Sequence, residues 1–256
     1  MLGAVIGDIV GSVFEWHNHR STKFPLFSSR STFSDDSVLT IATARVLLDG
    51  LDYARTYQDF ARRYPGRGYG GSFHSWIYQE HPQPYNSFGN GSAMRISPIG
   101  FAFESLEETL TEAKRSAEVT HNHPEGIKGA QATVLAIYLA RKGSSKPEIK
   151  QEIINRFGYD LSRPLEKIRQ ENQFDETCQG TVPEAISAFL ESDSFEGAIR
   201  LAVSIGGDSD TIACIAGAIA QALYGSIPAE MVSQAKARLP EEFLQILERF
   251  EARYPG

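Results

Sequence analysis

The chain has 256 residues, a formal net charge of -7 and a pI near 5.4; the length suits one domain with a large core, since burial efficiency rises with size. The charge speaks against a protein that grips nucleic acid by phosphate neutralisation, which needs a basic face, but it leaves room for an anionic small molecule held by backbone amides or by a metal. The two cysteines, Cys178 and Cys214, show no CxxC or finger spacing and exclude both a disulfide framework and a thiolate zinc site, which fits a reducing cytoplasm.

Apolar spacing is helical wherever it can be judged, and period-2 runs of β-branched residues are missing, so the fold is expected to be mostly α. Residues 2–14 read as a first helix. Asp8, Glu15 and the lack of a basic n-region mark this stretch as core rather than a signal peptide. Gly3, Gly7 and Gly11 are four apart and stack on one face. Three interior glycines cost roughly 3 kcal/mol against alanine, which either close helix packing or backbone approach to a ligand must offset. A second helix is expected over 37–49, stopped by Gly50, with Asp35 and Asp36 at its N-terminus.

Residues 64–91 lose all periodicity among glycines, prolines and aromatics, the pattern of a binding loop. Helices are expected at 106–119, 126–141 and 146–157. Residues 158–178 read as a connector or a short, weakly patterned helix. Helices resume at 182–191, 194–204 and 212–224, and a final helical segment, 229–254, is broken at Pro240. No run approaches the roughly 18 apolar residues that span a bilayer, so a protein without membrane contact is expected. No coiled-coil seam is present, so a monomer is expected.

Two acidic clusters stand out. Gly206-Gly207-Asp208-Ser209-Asp210-Thr211 sets two carboxylates and a hydroxyl behind a glycine pair that permits a sharp turn. Ser34-Asp35-Asp36-Ser37 is the second. Oxygen-only ligands of this kind suit Mg²⁺, Mn²⁺ or Ca²⁺. Alone, each cluster reads equally well as a helix cap. If the two helix starts meet, four carboxylates converge, and cations are needed to keep them ionised.

Five segments in chain order resemble the motifs of the ADP-ribosylglycohydrolases: Gly3-x3-Gly7-Asp8-x2-Gly11-x3-Glu15, Ser34-Asp35-Asp36-Ser37, Gly89-Asn90-Gly91-Ser92-Ala93-Met94-Arg95, Thr120-His121-Asn122-His123-Pro124 and Gly206-Gly207-Asp208-Ser209-Asp210-Thr211. The resemblance runs from residue 3 to about residue 225. It implies an all-α fold, a single compact orthogonal helical bundle over residues 1–256 with a central two-metal site. It implies a metal-dependent hydrolase that cleaves the bond between ADP-ribose and an acceptor, acting on an ADP-ribosylated protein or a small ADP-ribose conjugate.

By the same resemblance Ser34, Asp35, Asp36, Asp208, Asp210 and Thr211 are ligands of two Mg²⁺ ions, with Mn²⁺ as a substitute. Ser34 stands where threonine is commoner and supplies the same oxygen. Asp36 and Asp208 are counted among the catalytic residues with Glu15. Glu15 either activates the attacking water or holds the departing group while a water held by the metal attacks. Asp8 is expected to orient ligands from behind. Phe88 is expected to stack on adenine, Gly89, Asn90 and Gly91 to wrap the diphosphate and ribose, and His121 to lie near the distal ribose.

The acceptor stays open between serine, arginine, acetyl-ester and nucleic-acid linkages. The Arg67-Gly68-Tyr69-Gly70-Gly71 and Gly11-to-Glu15 segments favour the branch acting on serine and acetyl esters, whereas the segment around His121 looks more like the arginine branch. A non-catalytic ADP-ribose-binding module is the alternative class; Glu15 and the full acid set favour the enzyme.

Overall fold

In the computed structural model, which describes residues 1–255, fifteen helices follow one another. They are α1 (Leu2–Gly11), α2 (Asp35–Asp49), α3 (Tyr53–Arg63), α4 (Gly71–Trp76), α5 (Gly91–Met94), α6 (Ser97–Ala102), α7 (Leu106–Glu118) and α8 (Pro124–Arg141), followed by α9 (Lys146–Phe157), α10 (Leu165–Glu171), α11 (Cys178–Glu191), α12 (Phe195–Val203), α13 (Ser209–Tyr224), α14 (Ala229–Lys236) and α15 (Glu241–Arg253). The all-α expectation holds: among the described residues there is no strand, only one antiparallel bridge between Gly89 and Thr177. No helix there is long and apolar enough to cross a membrane.

Polar side chains set many of the helix starts. Ser34 Oγ accepts the Asp36 amide at 3.2 Å, Asp52 caps α3 through the Arg55 amide at 2.8 Å, and Thr177 caps α11 through the Gly180 amide at 3.1 Å. The Thr177 cap starts α11 four residues before the expected position, and α10 supplies the short helix of the expected connector. α3 was missed, although Tyr53, Thr56, Tyr57, Phe60 and Ala61 carry a three-four apolar pattern and are all buried. The first helix is shorter than expected. It closes at Gly11 and the chain turns, so that Phe14 packs on Phe24 (4.8 Å between ring centroids) and on His19 (4.9 Å) instead of extending the helix.

The buried apolar residues form one continuous cluster. At its centre lies α13, buried at every position from Ser209 to Ala220 and packed against α1, α8, α11 and α12. The glycine stripe of α1 explains this packing. A Cβ at Gly3, Gly7 or Gly11 would collide with the backbone of Gly217, Ala213 and Ser209–Asp210 respectively, and a Cβ at Gly217 would strike the Gly3 carbonyl. The stripe is therefore a helix-to-helix contact at backbone range, and it sets the end of α1 beside the start of α13. Gly7→Ala tests it. Helix propensity alone would favour alanine by about 1 kcal/mol, whereas overpacking against backbone costs typically 1–3 kcal/mol; urea unfolding is expected to show a net loss of stability, and a gain would refute the contact.

Candidate active site

The starts of α2 and α13 meet. Thr211 Oγ1 donates to Asp36 Oδ1 at 3.2 Å, and the Thr211 amide donates to Asp210 Oδ1 at 3.0 Å. The approach to α13 is a tight turn in which Gly206 and Gly207 take φ of 77° and 70°, a region that side chains disfavour. The Gly207 amide donates to Asn18 Oδ1 at 3.1 Å, which ties this turn to the loop after α1. Asp208 occupies the N-cap position, yet its side chain makes no cap bond; it accepts from Asn90 Nδ2 at 2.6 Å. Capping explains Ser34 but not Asp208.

Asp8, fully buried on α1, ties that helix to the start of α2. It accepts from the Ser34 amide at 3.0 Å, the Ser34 hydroxyl at 2.7 Å, the Ser37 amide at 3.1 Å and the Ser37 hydroxyl. The Ser34 hydroxyl thus gives its hydrogen to Asp8 and takes one from the Asp36 amide. Carboxylate oxygens of Glu15, Asp208 and Asp210 lie within 4.8 Å of one another, close enough to hold a metal ion.

Electrostatics point the same way. Burial, and then repulsion from Asp8 and other neighbouring carboxylates, hold Asp35 and Asp36 well above the ordinary carboxylate range; burial and then Asp208 do the same for Asp210. Burial raises Asp208 and Asp8 against the hydrogen bonds they accept. Glu15, half buried, is pushed up to about 7 by burial and then by Asp208, Asp8 and Glu176. No lysine or arginine forms an ion pair with any of these acids among the described residues. Asp36 Oδ2 is buried without a hydrogen-bond partner. Carboxylates stacked in this way lack a positive charge.

The acids open onto a cavity of about 270 Å³ lined by Glu15, Asp35, Asp208 and Asp210 on one hand and by Gly68, Tyr85, Gly89, Asn90, Gly91 and His121 on the other. Asp36, Thr211 and Ser34 are not among its walls, and Asp36 and Thr211 reach it through their bonded neighbours. A larger hollow of about 670 Å³ between residues 158 and 187 contains no converging ligand set among the described residues.

The proposed nucleotide loop divides. Gly89 and Gly91 face the His121 ring: an added Cβ would lie 3.7 Å and 3.3 Å from its Nε2. Asn90 spends its side-chain amide on Asp208 and on Thr181 Oγ1 (3.0 Å), so it braces a carboxylate. Phe88 points away from the cavity: it is 44 % exposed and tilts against His123, 5.3 Å between ring centroids, because its carbonyl is tied to the Cys178 amide at 2.9 Å. Tyr85 and Phe73 are the aromatics on the wall beside His121.

Glu176 was missed. It lines the cavity, and burial followed by Asp208 raises its carboxyl; its backbone carbonyl accepts the Asn90 amide at 2.7 Å. The available signal was an acid beside a hydroxyl at a helix start, with Glu176 directly before the Thr177 cap. Trp16 and Phe174, both exposed, stack at 5.3 Å beside Glu15 and Glu176 in the chain.

The profile of the family described as ADP-ribosylglycohydrolase matches residues 1–255. The ADP-ribosylhydrolase ARH3 of Mus musculus is 28 % identical over 98 % of this chain and 87 % of its own length. The ADP-ribosylarginine hydrolase Tri1 of Pseudomonas putida (strain GB-1) is 27 % identical over 91 % of this chain and 72 % of its own. Among solved structures, one described as an ADP-ribosylglycohydrolase-related protein complex superimposes with a TM-score of 0.73 at 24 % identity, covering 99 % of this chain and 95 % of that one, a likeness of fold. Paired acid-bearing helix starts on an all-α frame, matched along the whole chain, place the protein in the ADP-ribosylglycohydrolase family as an ADP-ribosyl hydrolase of the glycosidase type.

Proposed function

We propose that the chain is a magnesium-dependent hydrolase that releases ADP-ribose from an acceptor bonded to its anomeric ribose carbon, and so reverses ADP-ribosylation. The observation that carries this reading is the convergence of buried, unneutralised carboxylates beside Glu15 on a glycine-lined cavity. The donor set fits hard divalent cations: all oxygen, several carboxylates and an unpartnered Asp36 Oδ2. Asp35, Asp36, Asp208, Asp210 and Thr211 would hold two Mg²⁺ ions, or Mn²⁺, together with the Ser34 hydroxyl, whose hydrogen is already committed to Asp8. Such ions supply Lewis-acid stabilisation of the negative charge that develops on the departing group.

The chain's own residues do the rest. Glu15 opens onto the cavity and is placed to take a proton from water or to hold the departing acceptor. Gly89 and Gly91 leave space for the nucleotide, and Asn90 fixes Asp208. Serine and acetyl-ester acceptors are the first reading of substrate, since Gly68, Gly70 and Gly71 of the segment that suggested them line the cavity. Arginine is the second reading, favoured by the exposed Trp16–Phe174 stack and the Glu176 carboxylate, a combination suited to a guanidinium.

Three measurements test this. Incubation with Mg²⁺ and serine-, arginine- and acetyl-ester-linked ADP-ribose should release ADP-ribose from at least one; none from any, with ADP-ribose still bound, would leave a binding module. Asp36→Ala and Asp208→Ala should each lose about 10²–10³-fold or more in turnover, and Glu15→Gln about 10²–10⁴-fold, with ADP-ribose binding kept in the Glu15 variant. Near-normal turnover of an aspartate variant in chelator would end the metal mechanism.

The third measurement reads stability. A carboxyl raised in the folded state binds its proton more tightly there than in the unfolded chain, so stability falls as pH climbs from the unfolded value, about 4, through the folded one. Glu15, raised to about 7, places its share of that loss between about pH 4 and pH 7, and Asp35, Asp36 and Asp210, held well above the ordinary carboxylate range, add to it as pH climbs from the same starting point. In chelator the melting temperature should drop as pH rises from about 5 to about 7.5. Mg²⁺ should restore it, more at about pH 7.5 than at about pH 5, whereas a flat profile with no Mg²⁺ effect would count against a cation site.

A further inference from the structure

His121 is the imidazole on the cavity wall and is almost wholly buried. Its Nδ1 lies 2.7 Å from the Thr120 hydroxyl, and that hydroxyl accepts from Arg95 Nη2 at 2.9 Å. Arg95 decides the direction of this chain of bonds. A guanidinium has donors only and stays protonated, so Thr120 Oγ1 must be the acceptor at that contact. The hydroxyl keeps one hydrogen, Thr120 is fully buried, and an unused buried donor is costly. His121 Nδ1 is the partner within reach. An Nδ1 that accepts carries no hydrogen, and a neutral ring then carries its hydrogen on Nε2.

Two further facts hold the ring in this state. Burial and the neighbouring Arg95 charge keep the imidazole well below its ordinary range, so it stays neutral. Arg95 is held through Nη2, which also donates to the Ser116 carbonyl at 3.0 Å, and through the Tyr57 ring, 4.3 Å from its guanidinium, whose hydroxyl is held by Thr43 at 2.8 Å and Ser116 at 2.7 Å, while its Nε and Nη1 are buried without partners. The Nε2 edge is turned to Gly89 and Gly91, and the ring lines the cavity.

We infer that Arg95 and Thr120 are positioning residues that lock His121 as a neutral Nε2–H donor, aimed at an acceptor oxygen of ADP-ribose under the Gly89–Gly91 loop. The identity of the ligand rests on the hydrolase reading above; the lock does not. A ring held this way neither ligates a cation nor takes a proton from water. Its work is to orient the nucleotide.

The experiment is long-range ¹H–¹⁵N spectroscopy of the histidine rings in the full chain at pH 7, with His121 assigned by its loss in His121→Gln, beside calorimetric titration with ADP-ribose. The wild type should show a pyridine-type Nδ1 and a protonated Nε2. Thr120→Val should give a mixed tautomer and weaken ADP-ribose about fivefold, the order of one hydrogen bond. Thr120→Ser should restore both, which a purely structural role for the hydroxyl would not predict for the tautomer. A protonated Nδ1 in the wild type, or a Thr120→Val spectrum identical to wild type, would overturn the lock. The expected tautomer in a protein that fails to bind ADP-ribose would overturn the ligand and the functional reading together, while leaving the lock established.

Discussion

The contact between α1 and α13 at backbone range fixes the geometry on which the site depends. Gly3, Gly7 and Gly11 remove the side chains that would hold the helices apart, and Gly217 answers from the other side. Two distant stretches of chain are thereby set in a single register. Asp8 on α1 then reaches Ser34 and Ser37 at the start of α2, while the end of α1 delivers Glu15 to the start of α13. Three helices are locked by one packing stripe and one carboxylate.

That frame accumulates negative charge where a folded chain tolerates it least. Asp8 is compensated by four hydrogen bonds, and Asp208 by Asn90. Asp35, Asp36 and Asp210 have much less, and Asp36 Oδ2 has nothing. Buried charges without partners oppose folding, so the cluster is tolerated because the surrounding helix packing over-determines its position. The fold carries strain of an electrostatic kind at the candidate site.

Much of this was legible in the sequence because it is local. The paired acids, their hydroxyl neighbours and the glycines are contiguous, and helix starts are written in the few residues around them. The glycine stripe was legible as a cost but left two explanations, since only the partner helix distinguishes packing from ligand approach. Phe88 shows the limit of that reading. Its direction follows from a backbone bond to Cys178, 90 residues away in sequence, which no local pattern encodes. Glu176 escaped for a similar reason: it enters the site only because Thr177 caps α11 and the Asn90 amide seeks the Glu176 carbonyl. Asn90 lines the cavity where a nucleotide contact is expected, and its bond to Asp208, a long-range partner, was invisible from the loop.

Trp16, Phe174 and Glu176 stand on different footing from the residues that hold the charge. Asp35, Asp208 and Asp210 belong to the ends of long buried helices, whereas Trp16, Phe174 and Glu176 lie in irregular segments between helices. Exchanges in those segments disturb few of the core's contacts, so under the proposed function they would retune which acceptor is admitted while the buried acids stay in place. The architecture separates inheritance of the reaction from inheritance of the target, and divergence is expected to collect at the rim.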